Sequence, residues 1–64
     1  MSLHDFLLLV ASELNVPAAR IEPIENKLRD EWYEDVAALM EITDAQWAGF
    51  SLPMRVVDKI KDML

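Results

Sequence analysis

The chain has 64 residues, 53% of them hydrophobic, with 6 basic and 12 acidic side chains, one His and no Cys. A chain of this length makes one small domain that buries only ~60% of the surface its unfolded form exposes, which leaves little apolar material to line a substrate cavity. Without Cys there are no disulfides and no thiolate metal site, and a formal charge of −6 repels phosphate backbones and anionic lipid.

The expected elements follow in chain order. Ser2, with Asp5 three residues on, is an acidic relative of the capping box and predicts a helix start. Leu3, Phe6, Leu7, Val10 and Leu14 recur at helical spacing, so this helix runs about three turns. It ends at Asn15, because Val16 precedes Pro17 and pre-proline residues disfavour the helical region. Its apolar run Phe6 to Ala11 is too short to span a bilayer, which takes about 20 apolar residues, and His4 and Asp5 are the wrong start for a signal peptide. Pro17 suits the first turn of a short second helix carrying Ala18, Ala19 and Ile21. Pro23 starts a third, on which Ile24, Leu28 and Trp32 share one face. The acidic cluster Asp30, Glu31, Glu34 and Asp35 predicts a break near Trp32, since carboxylates sit best where a helix begins; helical spacing resumes at Val36, Leu39 and Met40. Within Ile42 to Trp47, Thr43 and Gln46 form a capping box while Ile42 and Trp47 form a hydrophobic staple. Gly49 is expected to supply the left-handed residue that closes this helix. Pro53 opens the last one, with Val56, Val57, Ile60, Met63 and Leu64 inside and Arg55, Asp58, Lys59, Lys61 and Asp62 in water. No strand is expected. The fold class is all-α, a compact bundle of five short helices over residues 1–64. A last helix that reaches Leu64 without a stop signal reads as one domain of a longer polypeptide.

The stretch from Val36 to Leu64, with Leu39, Ile42, Thr43, Asp44, Trp47, Phe50, Leu52, Arg55, Val57, Ile60 and Leu64, resembles the second half of a sterile alpha motif (SAM) domain. That family ends with a Leu-Thr-acidic-acidic-Leu helix, a Leu-Gly-Ile turn and a long helix entered through Gly-x-Arg. Trp47 stands for the Leu before the turn, Phe50-Ser51-Leu52 for Leu-Gly-Ile, and Arg55 for the Arg at the mouth of the last helix. Ser51 replaces the turn Gly, and the turn into the last helix is shorter. The resemblance covers about half of the chain and rests mainly on apolar spacing. It implies a SAM-like fold and head-to-tail association, in which the start of the last helix on one copy docks against the acidic middle of the next.

The candidate interaction residues follow from this. Met54, Arg55 and Lys59 lie at the start of the last helix, and Glu34, Asp35, Glu41 and Asp44 form the acidic middle. A second candidate is the first helix, which cannot bury Leu8 and Leu9 along with Leu3, Leu7, Val10 and Leu14; one of the pair is expected to be exposed and to meet a partner. Trp32 and Trp47 are expected in the core and Tyr33 at the surface. His4 has only Asp5 as a close acidic neighbour and is read as a surface residue. The acidic cluster lacks the Asp/Asn alternation and central Gly of a calcium loop. No nucleophile, base and pocket come together for an enzyme, and neither Ser-Leu pair has the preceding Asp of a serine-linked carrier protein. The expected function is that of an intracellular scaffold or oligomerisation module with no cofactor and no metal. Its expected partner is protein, either itself or another helical domain, with no nucleic acid and no membrane. The alternative is a monomeric structural or docking domain that packs through its apolar N-terminal helix face.

Overall fold

The computed structural model describes residues 1–64, and a helix begins at or near each start anticipated from local chemistry. Two details differ: Pro17 precedes its short turn instead of entering it, and the third helix begins at Glu22, ahead of Pro23, with no break before it. Ser2 caps α1 (Leu3–Leu14), its hydroxyl accepting from the Asp5 N–H at 3.1 Å. Asn15 ends that helix in the left-handed region at φ 57°, which an Asn side chain tolerates. Pro17 then precedes a 3-10 turn, Ala18–Ile21, which runs directly into α2 (Glu22–Asp30) with Pro23 in its first turn, where a missing N–H costs nothing. Asp35 caps the single-turn α3 (Val36–Leu39), accepting from the Ala38 N–H at 2.7 Å. Thr43 and Gln46 close a reciprocal capping box on α4 (Asp44–Gly49), with bonds of 3.2 and 2.9 Å. Pro53 precedes α5 (Met54–Met63). The fold is therefore an all-α bundle of five helices. No strand forms; a lone bridge pairs Ser2 with Asp35 and ties the N-terminus to the connection before α3.

Twelve residues are buried and all are apolar. α1 supplies Leu3, Phe6, Leu7, Val10 and Ala11, which makes it the central helix, packed against both α5 and the 3-10 turn. Ile21, Ile24 and Leu28 close one side of the core, Leu39, Ile42 and Trp47 another, and Ile60 of α5 is completely covered. Each buried Leu, Ile, Val and Phe side chain contributes about 1.5–3 kcal/mol relative to exposure, and no buried polar side chain opposes that gain.

Several expectations are corrected. Gly49 does not take the left-handed backbone: it is the last residue of α4, and Ser51 adopts φ 56° instead. With the helix continued through Gly49, Phe50 swings inward and packs on Trp47 and Tyr33 with ring centroids 5.9 and 5.8 Å apart. Trp32 is not core but 87% exposed, because α2 stops at Asp30 and the apolar face stops with it. The helix closes through paired bonds, Tyr33 N–H to Leu28 O and Trp32 N–H to Arg29 O, both 2.9 Å. This is the Schellman pattern, with Trp32 at φ 69° in the position usually held by Gly. Left-handed backbone costs an L residue about 1–2 kcal/mol. Tyr33, expected at the surface, follows it inward and is half-buried edge-on against Phe50. Met40 ends α3 exposed. On α5 only Ile60 is fully buried; Val56, Val57 and Met63 are half-buried and Leu64 is exposed, because α5 packs chiefly on one element, α1. Lys59 lies half-buried rather than on the wet face.

Candidate interaction surface

With no polar residue inside, whatever chemistry the chain offers is at its surface. No three of its His, Asp and Glu side chains gather as a metal-ligand set, and no helix is long and apolar enough to cross a membrane.

The start of α5 presents Met54, 81% exposed, beside Arg55, which is exposed and in no ion pair. Lys59, one turn on, sits 3.9 Å from Asp62 within its own helix. The acidic residues separate into two groups. Glu34 and Glu41 are exposed and unpaired, in the connections before and after α3. Asp35 is occupied in capping α3, and Asp44 accepts from Lys61 Nζ at 2.7 Å across α4 and α5. That bond holds the Asp44 carboxyl below the usual aspartate range. Asp44 also shares a shallow groove with Leu52, Met54 and Val57, so it lies beside the start of α5 rather than with Glu34. On α1, Leu8 is half-buried in a cleft with Ala18 and Ile21, whereas Leu9 is exposed. Helical spacing places Asp5, Ser12 and Glu13 around Leu9, so it stands alone rather than in an apolar patch.

Three features emerge only from the fold. His4 Nδ1 lies 2.7 Å from Glu25 Oε1, while Arg29 Nε donates to the other oxygen at 2.9 Å. An ionised carboxylate only accepts, so Nδ1 carries the proton. The His4 bond is the largest influence on Glu25 and lowers its pKa; burial opposes this, and Arg29 adds to the lowering. Glu25 thereby ties α1 to α2. The second feature is an apolar groove of about 510 Å³ between the end of α1, the 3-10 turn, the start of α2 and the start of α5. Leu14, Val16, Ile24, Pro53 and Val56 form much of its wall, and two exposed arginines, Arg20 and Arg55, line it. Arg20, like Arg55, is in no ion pair; its only sequence signal was a base flanked by apolar residues ahead of Pro23. The third is Trp32 itself, followed by the acidic residues before α3.

Comparison of the chain with protein families, with curated proteins and with solved structures gives no match.

Proposed function

We propose that the chain is a SAM-like protein-interaction module that binds by surface complementarity rather than by catalysis. It associates head to tail with a second copy or a similar helical domain, the start of α5 on one molecule meeting the acidic connection around Glu34 and Glu41 on the next. One observation carries the reading: in a chain with 12 acidic and 6 basic residues, Arg55 has no acidic partner of its own and stands beside an exposed Met54. An unpaired guanidinium next to exposed apolar surface is the composition that interface centres favour. The C-terminal resemblance to SAM domains supports the same mode. Docking through Leu8 and Leu9 has weaker support, because Leu8 is half-buried in a cleft and Leu9 is isolated.

The test is Arg55→Glu, which reverses charge at an exposed residue and leaves the core untouched. Association should weaken at least tenfold, equivalent to ~1.4 kcal/mol, and added salt should weaken the wild type in the same direction. Sedimentation velocity of both proteins over a concentration series at low and high salt reads this. A wild type that is monomeric throughout, or an Arg55→Glu variant that assembles as readily, overturns the proposal.

A further inference from the structure

Trp32 is at odds with its own fold in two ways. It occupies the left-handed position closing α2, at φ 69°, where glycine is the usual residue and a bulky side chain is rare. Its indole, 87% exposed, makes no aromatic contact inside the molecule. Neither stability nor solubility accounts for a tryptophan there, and strained positions of this kind concentrate where a protein binds something. Around it, Asp30, Glu31 and Glu34 are exposed and in no ion pair.

The complement to this knob lies at the opposite end of the same helix. The apolar groove of about 510 Å³ falls within the ~300–1,000 Å³ range that admits a compact ligand, so it has room for an indole. Its two arginines, Arg20 and Arg55, carry no intramolecular partner, just as the carboxylates beside Trp32 carry none.

We propose that Trp32 of one molecule inserts into the groove of a second copy, where Asp30, Glu31 and Glu34 around it meet Arg20 and Arg55. The proposal rests on the head-to-tail reading and deepens it, replacing a contact of charges with a knob in a hole. α2 spans nine residues, about 13.5 Å at 1.5 Å per residue, so the knob beyond its end and the groove at its start are separated by its length, and Trp32 is not among the residues that line the groove of its own molecule. A surface that pairs with a different surface of the next copy propagates into rings or open filaments. Trp and Arg are also the residue types that dominate binding energy where they are desolvated together.

Arg20 and Trp32 are absent from the simpler charge contact, so Trp32→Gly and Arg20→Glu test the insertion itself. Trp32→Gly removes the knob and relieves the left-handed backbone, so its thermal midpoint should equal or exceed that of the wild type. Trp32→Asn, which also tolerates this backbone, provides a second knob-free variant. Sedimentation velocity should show at least tenfold weaker self-association for each variant. Mixed in equal amounts, Trp32→Gly and Arg20→Glu should form a heterodimer that grows no further, since one supplies only a hole and the other only a knob. If both knob-free variants assemble like the wild type while Arg55→Glu does not, the insertion is wrong and the charge contact stands. If the two complementary variants fail to pair, the insertion is also overturned. A wild type that never assembles overturns both.

Discussion

Gly49 is the only glycine in the chain, and its backbone makes no use of being one. It closes α4 without a positive φ, and a methyl group added to it would meet no atom within 4 Å beyond its chain neighbours and the backbone of its own helix. Glycine costs a helix roughly 0.5–1 kcal/mol relative to alanine, because the unfolded chain has more freedom to lose. Gly49→Ala should therefore raise stability by about that amount, read as a higher urea midpoint with an unchanged slope. A lower midpoint would mean that the left-handed turn lies at Gly49 after all. The left-handed position two residues on is held by Ser51, at the site where the resemblance to SAM domains has glycine. A preference for glycine at helix ends is a statistical rule, and here it selected the wrong residue. Where the helix runs on through Gly49, Phe50 packs on Trp47 three residues back and on Tyr33 seventeen residues back, and the second of these contacts lies outside any local pattern.

At the scale of the element, the helix starts were legible because capping is settled within four residues. Thr43 and Gln46 exchange bonds of 3.2 and 2.9 Å, and neither needs help from elsewhere in the fold. Thr43→Ala removes one of those bonds and leaves the core alone, so it should cost about 1 kcal/mol, seen as a lower denaturation midpoint. An unchanged midpoint would show that α4 gains nothing from its cap. Ser2 was readable for the same reason, whereas Asp35 was legible only as part of an acidic cluster that marked a break, and its bond to the Ala38 N–H came from the structure. Helix ends were less so: Ile24, Leu28 and Trp32 continue one stripe on paper, but α2 closes at Asp30 and the stripe ends at Leu28. Periodicity shows which residues share a face while a helix lasts, not where the rest of the molecule stops it. The candidate interface was legible in halves. Arg55, Met54 and Glu34 follow from exposure patterns along single helices and turns, whereas Arg20 reaches the groove beside Arg55 only because the 3-10 turn and α5 both pack on α1. Likewise, His4 meets Glu25 across 21 residues of sequence.

For the whole molecule, a Cα radius of gyration of 10.5 Å matches the ~10.7 Å expected of a single folded domain with this many residues. Six excess negative charges within that radius repel one another, so mild acid should relieve general strain by protonating carboxylates. Glu25 works in the opposite direction. Its side chain is 16% exposed and its folded pKa lies below the ordinary glutamate value, through the bond with His4 first and Arg29 as well. A carboxyl with a depressed folded pKa contributes stability that is present above its unfolded pKa, about 4.3, and lost as pH falls through the folded value. Acid thus relaxes the net charge while releasing the one carboxylate that joins α1 to α2. The two effects separate in a comparison of variants, because Glu25→Gln and wild type share nearly all of the repulsion. At about pH 5.5, Glu25→Gln should be the less stable, and the gap should close as pH drops towards about 3. Urea midpoints of the two proteins across that range provide the measurement. Asp44, although also held below its usual range by Lys61, should show far less of this behaviour, since its carboxylate is fully exposed and salt screens it. A gap between wild type and Glu25→Gln that stays constant with pH would show that Glu25 holds the two helices by shape and hydrogen bonding alone, independent of its charge.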